Sequence, residues 1–381
     1  MQSLDAFAAA KLADLDARHQ RRTLVATARL DGPLVSRGGR QYVSFSCNDY
    51  LNFATDPRLK AAAIRAVEEH GTGAGASRLI TGNHPLIEEL EVRLARLKGT
   101  EACCVFGSGY LANVGIIPTL AGRDCLVVVD ELAHNCINAG ASMAQGQVTV
   151  FQHNDLDHLA AILAAERAKF AHVLVVTDGV FSMDGDLAPL AEMGELCARH
   201  DAWLMADDAH GIGVLGGGRG SAHVGGTAAV PLQMGTLSKA IGSYGAYLCA
   251  SQPVIDLMKT RARTVVYSTG LPPAAVGAAI EALNIIENEP DYIELPVAKA
   301  RRFCRALNLP AAESPIVPII VGTETRALDA QRLLAEQGFL VAAIRPPTVP
   351  AGTSRLRFAF TARHTDADVD RVASVLRERV L

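Results

Sequence analysis

Lys239 sits in Met234-Gly235-Thr236-Leu237-Ser238-Lys239-Ala240-Ile241-Gly242-Ser243, a lysine set among small and hydroxyl residues. About thirty residues upstream runs Trp203-Leu204-Met205-Ala206-Asp207-Asp208-Ala209-His210-Gly211, an apolar stretch that ends in acid and is followed by histidine. A lysine amine can hold an aldehyde as an imine, and a carboxylate can keep a pyridine nitrogen protonated so that the ring accepts electrons. Pyridoxal 5'-phosphate (PLP) asks for that combination. Asp207 is the candidate acid for the ring nitrogen, with Asp208 as a competitor that strand alternation alone does not exclude. His210 is placed to hydrogen-bond the ring's phenolic oxygen. Ser238, Ala240, Gly242 and Ser243 let a bulky ligand approach the backbone. A desolvated lysine near cationic charge gives up its proton readily, which suits both imine formation and base work.

Other stretches could serve the same ligand, and each also has an ordinary structural reading. Phe106-Gly107-Ser108-Gly109-Tyr110-Leu111-Ala112-Asn113 reads as a loop that opens a helix. The amides of Gly109 and Tyr110 would then form an anion site for a phosphate, although the third glycine of a dinucleotide fingerprint is missing. Thr236 is a second phosphate candidate. His134 follows the strand that ends at Asp130 and is either a loop histidine or a ring that stacks on the cofactor. Ser182, in a Ser/Asp/Gly turn, is a possible hydrogen-bond partner. Arg345 opens Arg345-Pro346-Pro347-Thr348-Val349-Pro350, where prolines stiffen the backbone. A guanidinium held in that way suits bidentate carboxylate binding; a solvated arginine on a turn is the alternative.

These residues need elements to position them. Cys125–Asp130, Val173–Asp178 and Trp203–Asp207 read as buried strands, separated by helical patterns. Such alternation implies a mostly parallel sheet with covered faces, and ligands bind beyond the carboxyl ends of its strands. Asp130, Asp178 and Asp207 all fall at such ends. Leu86, Leu90, Leu94 and Leu97 trace an amphipathic helix that Gly99 ends. Residues 71–82, rich in glycine, read as a mobile loop. The tail from about Glu287 reads helix, strand (316–321), helix, strand (355–360), helix, the pattern of a small α+β domain. The expected organisation is an N-terminal helix and extended segment (1–50), a large α/β domain (51–286) and a small C-terminal α+β domain (287–381).

Composition sets the outer limits. Hydrophobic residues make up 49% and charged residues 20% of 381, as in soluble enzymes. A net charge of -4 argues against a general nucleic-acid binder. None of the eight cysteines forms a CxxC pair, and no Cys/His cluster has metal-site spacing, so buried free thiols are expected. Asp5, Lys11, Asp14 and Asp16 interrupt any signal-peptide core, and no apolar run approaches the ~20 residues of a membrane span. Cytoplasm is the expected compartment.

Taken in order, Asn48-Asp49-Tyr50-Leu51, Val180 to Asp186, Asp207 to Gly211, Thr236 to Gly242 and the final domain resemble the α-oxoamine synthases, PLP enzymes of fold type I. The resemblance covers nearly the whole chain. It implies a large mostly parallel sheet domain, a small C-terminal α+β domain and a homodimer with the site at the subunit boundary. It further implies that Lys239 carries the cofactor, that Asp207 meets the pyridine nitrogen and His210 the phenolic oxygen, and that His134 stacks on the ring. Gly109, Tyr110, Thr236 and Ser182 would serve the cofactor. Arg345 and Asn48 would hold an amino-acid carboxylate, and Thr348 and Arg22 would contact substrate, with Arg21 adjacent. Ser268-Thr269 resembles the segment that reaches the partner's phosphate. Ala343 to Thr353 is most similar to the branch that condenses L-alanine with a pimeloyl thioester, carried on CoA or on a carrier protein. Other members, such as glycine C-acetyltransferases, share every PLP residue, and aminotransferases share the fold. A non-catalytic binding protein would keep only the pocket. Asn52 departs from the family, which often has glycine after Asn-Asp-Tyr-Leu.

Overall fold

A computed structural model describes residues 2–18 and 20–381. Its main sheet has seven strands: β1 (Ala102–Phe106), β2 (Cys125–Asp130), β3 (Gln147–Phe151), β4 (His172–Asp178), β5 (Trp203–Asp207), β6 (Leu232–Thr236) and β7 (Ala246–Ala250). Their spatial order is β1-β7-β6-β5-β4-β2-β3. Only β7 runs antiparallel to its neighbours within this sheet. The expected strands at 125–130 and 203–207 are reproduced, and that at 173–178 gains His172.

The apolar runs follow from burial on two faces. Along β2, Val127 and Val129 enter one core cluster while Leu126 and Val128 enter another. Both faces are therefore dry, and each such side chain removed from water contributes about 1.5–3 kcal/mol. The consequence for function is geometric. The parallel strands end together, so Phe106, Asp130, Asp178, Asp207 and Thr236 lie along one edge.

The helix Pro85–Lys98 ends as expected at Gly99, whose φ of 69° is left-handed and whose N–H bonds to Ala95 and Arg96 carbonyls. Residues 71–82 form no helix or strand, but they are pinned. Arg78 donates to Glu91 at 2.6 Å and to Asn83 at 2.8 Å, and Gly270 N–H bonds to the Ala76 carbonyl at 3.0 Å. Asn52, the family departure, has φ 55° and ψ 29°. Asparagine tolerates this left-handed conformation better than most side chains, and here its Oδ1 accepts the Arg363 N–H at 3.0 Å.

The chain divides into two compact units. One contains residues up to Ser46 together with Pro318–Phe358; the other contains Cys47–Val317 and Ala359–Arg379. In the first unit, Arg40–Ser44 pairs in parallel with Phe339–Leu340, which ties the N-terminal segment to the tail. In the second, the helix Asp366–Arg379 packs on Pro290–Ala306. All eight cysteines are free, and all but Cys47 are buried.

Asp130 takes the ordinary reading of a strand-end acid: it accepts from the amides of Leu132 (2.8 Å) and Asn154 (3.0 Å). It also joins His153, whose other ring nitrogen meets Asp186 at 2.8 Å. Burial opposes protonation of His153, yet its hydrogen bonds to the two acids prevail and carry its pKa up to about 10. A folded pKa above the unfolded value of about 6.5 means that the clamp contributes fully below pH 6.5 and is lost as pH rises through 10. We expect His153→Gln to cost about 2 kcal/mol in urea unfolding at pH 6, with the gap to wild type closing by pH 10. An equal gap at both pH values would refute the charged clamp.

Candidate active site

Lys239 lies on the loop Leu237–Gly245 that joins β6 to β7. The loop is tight: Leu237 N–H bonds to Gly245 O and Ser243 N–H to Leu237 O, each at 2.9 Å. Gly242 has φ 69°, and a Cβ there would lie 2.5 Å from Phe53 Cβ. The small residue thus admits the protein's own backbone at 53–54. Lys239 Nζ is 2.7 Å from His210 Nε2, so the lysine and the histidine singled out in the sequence meet directly.

Asp207 and Asp208 separate cleanly. Asp208 is engaged by Lys98 Nζ at 2.9 Å and by the Ser221 amide and hydroxyl at 3.0 and 2.7 Å, all buried. Asp207 accepts from Asn113 Nδ2 at 2.8 Å and from the Ala209 amide at 3.0 Å. Asn113 belongs to helix α1 (Gly109–Leu120), and its Oδ1 is buried with no hydrogen-bond partner among the described residues. A buried carboxylate with an unused acceptor beside it suits a ligand N–H.

His134 caps helix α2 (Asn135–Met143), its Nδ1 accepting the Cys136 N–H at 3.2 Å. The Cys136 thiol lies 2.8 Å from the same ring nitrogen and 3.9 Å from Asp207 Oδ2. His134 N–H donates to Asp178 Oδ2 at 2.7 Å. Partial burial pulls the His134 pKa down, the Lys239 charge adds to this, and the Asp207 charge opposes it. Burial, reinforced by the Asp207 charge, pushes the Asp178 carboxyl up.

Gly109 opens α1, with Ser108 Oγ capping the helix by accepting the Leu111 N–H at 3.2 Å. A Cβ on Gly109 would rest 3.8 Å from Thr236 Cβ, so the helix start adjoins Thr236. Thr236 Oγ1 lies 2.7 Å from Ser238 Oγ. Helix-terminal amides and two hydroxyls are the donor set of a phosphate site. Lys239, Asp207, His210 and this cradle together fit PLP. Tyr110 is exposed, and Ser182 lies in the turn after Phe181, which Gly185 N–H closes on Phe181 O at 2.8 Å. Asn48 Oδ1 lies 3.4 Å from the Tyr50 hydroxyl.

Arg22, Arg345 and Thr348 belong to the other compact unit. There Arg22 Nη2 donates to Thr348 Oγ1 at 3.1 Å, while Arg21 pairs with Asp16 at 2.7 Å. Thr348 N–H bonds back to Arg345 O at 3.1 Å. The sequence reading gave no role to Asn113 or Cys136; the only signal for Asn113 was its place one helical turn after Gly109. A cavity of about 770 Å³ at the opposite edge of the sheet, lined by Trp203, Leu232 and Ala250 among others, contains none of these groups.

The family of class I and II aminotransferases matches residues 40–376. The 8-amino-7-oxononanoate synthase of Methylocella silvestris is 66% identical over 91% of this chain and 99% of its own length. That of Beijerinckia indica is 62% identical over 99% and 98%. The chain belongs to the 8-amino-7-oxononanoate synthase family. A solved serine palmitoyltransferase (SPT) with PLP shares its fold, with a TM-score of 0.91 at 28% identity over 99% of this chain and 97% of that chain. The architecture is therefore PLP-dependent fold type I.

If Asp207 serves the ring nitrogen, Asp207→Ala should lower kcat/KM by about 100-fold or more, since a buried charge beside a reacting ring would act with little screening. Asn113→Ala should show a smaller loss in the same direction. An Asp208→Asn variant should instead be read out mainly as lost stability in urea unfolding. Equal catalytic loss from Asp207→Ala and a stable, folded Asp208→Asn would contradict the division of roles.

Proposed function

We propose that this protein condenses L-alanine with a pimeloyl thioester, on CoA or on a carrier protein, releasing CO2 and free thiol and giving 8-amino-7-oxononanoate. The observation that carries the reading is the contact of Lys239 with His210 beside the buried, Asn113-held carboxylate of Asp207, in a chain at least 62% identical to two synthases of that name. The cofactor is PLP, which when bound supplies an electron sink for negative charge at the amino-acid Cα.

The chain's own residues take these roles. Lys239 anchors the cofactor, and as a free amine it removes the Cα proton. Asp207 holds a proton on the pyridine nitrogen. His210 orients against the phenolic oxygen, and His134 covers the ring face. The Gly109 and Tyr110 amides and Thr236 bind phosphate, with Ser182 beside the cofactor. Arg345, Thr348, Arg22 and Asn48 are assigned to substrate on family resemblance, Arg345 and Asn48 to the amino-acid carboxylate. We assign the protein to a homodimer and to the cytoplasm on the same ground. Among the described residues no helix is long and apolar enough to cross a membrane.

Purified protein loaded with PLP should release thiol when given L-alanine and pimeloyl-CoA, with 8-amino-7-oxononanoate identified by mass. Glycine with acetyl-CoA and L-serine with palmitoyl-CoA should be poor. Lys239→Ala should abolish turnover. Preference for either control pair would move the protein to another branch of the family, and pyruvate formation without thiol release would make it an aminotransferase.

A further inference from the structure

Tyr50 belongs to the Asn48-Asp49-Tyr50-Leu51 stretch and has no role in the account above. Its side chain is fully buried. The turn around it is fixed, with Asp49 accepting from the amides of Phe53 (2.9 Å) and Ala54 (3.2 Å). From this rigid position its hydroxyl lies 2.6 Å from His210 Nδ1 and 3.4 Å from Asn48 Oδ1. The other nitrogen of His210 faces Lys239 Nζ at 2.7 Å. Four residues thus form one line: Asn48, Tyr50, His210, Lys239.

The geometry points to Tyr50 as a positioning residue that sets the tautomer of His210. A tyrosine hydroxyl has one proton to give. The proposal places that proton on the 2.6 Å bond to Nδ1 and not on the 3.4 Å contact with Asn48 Oδ1. Nδ1 is then an acceptor, and the ring proton resides on Nε2. That N–H points at Lys239, where it meets the lone pair of a neutral amine, and it is the donor that His210 needs toward a phenolic oxygen. The alternative requires one more proton. A charged Lys239 would donate to Nε2, Nδ1–H would donate to Tyr50, and the hydroxyl would turn to the longer contact with Asn48. With the proton so placed, the line holds a neutral Lys239 and an Nε2–H histidine, the pair that the assigned chemistry uses. Other titratable groups near this centre include His134 and Cys136 at the start of α2, Asp178 from β4 and Asp207 from β5. A Tyr50→Phe substitution alters none of them and keeps the buried ring.

The inference rests on the roles given to Lys239 and His210, and the test separates the two. Wild type, Tyr50→Phe and Tyr292→Phe are each loaded with PLP. Tyr292 is the control, because it too loses a hydroxyl bond in the same core, to Leu51 O at 2.8 Å. The visible absorbance of the bound cofactor is followed against pH, and thiol release from L-alanine and pimeloyl-CoA is followed separately. With the Nδ1 donor gone, His210 no longer holds its proton toward the cofactor. The absorbance midpoint of Tyr50→Phe should move upward by about one pH unit. Its kcat should fall about tenfold, with KM for alanine changed less than about twofold. Tyr292→Phe should match wild type in both. In a His210→Ala background, Tyr50→Phe should add nothing. An unchanged midpoint and kcat overturn the inference. So does a loss that Tyr292→Phe reproduces, or one that persists undiminished in the His210→Ala background, including a general failure to fold. Wild type that takes up no PLP or releases no thiol would instead overturn the proposed function.

Discussion

The pocket depends on a charge pair that never touches it. Lys98 and Asp208 lie buried together at 2.9 Å, far apart in sequence. An isolated charge there would be costly, and removing one partner of such a pair typically costs about 3–5 kcal/mol. The pair nails down the chain immediately after β5. Gly179, Gly211 and Gly220 crowd the Asp208 carboxylate so closely that a Cβ at any of them would clash with it or with Ser221. With Asp208 turned inward, Asp207 faces Asn113, and the backbone bends so that His210 returns toward Lys239. The sheet brings the strands to a common edge; this corner decides which side chains look over it.

Much of that was legible from local pattern, because the elements are strongly patterned. Continuous apolar strands ending in acid, and a leucine-spaced helix stopped by glycine, are short-range signals. The lysine and histidine that meet at 2.7 Å could be paired beforehand because the chemistry demands both. Strand alternation alone did not choose between Asp207 and Asp208, since the lysine that engages Asp208 is far away in the chain, and the choice of Asp207 came from the family resemblance. Asn113 and Cys136 were silent for the same reason. The short strands Phe339–Leu340 and Ala342–Ile344 have too few residues to show a period. The first of them pairs with the N-terminal segment, a tie that local pattern does not show.

The comparison with SPT separates what the fold provides from what selectivity requires. A chain only 28% identical keeps the same architecture over nearly its full length. The residues that fit PLP belong to the unit built on the seven-stranded sheet, whereas Ala343 to Thr353 belongs to the other unit. Asn52 takes a left-handed turn itself, and its side chain finds a partner in the Arg363 amide.

The lysine's setting between β6 and β7 has a mechanical consequence. Both strands are interior and bonded on each side, so the short span that carries the amine is clamped at its two feet. If the nitrogen exchanges anchoring for proton transfer, as proposed, the bonded main chain offers little slack with which to follow. The whole excursion falls to the side chain's own methylene tether, which swings by rotamer change alone. Crystals grown with and without amino acid should therefore superpose along this span while the amine itself occupies different positions.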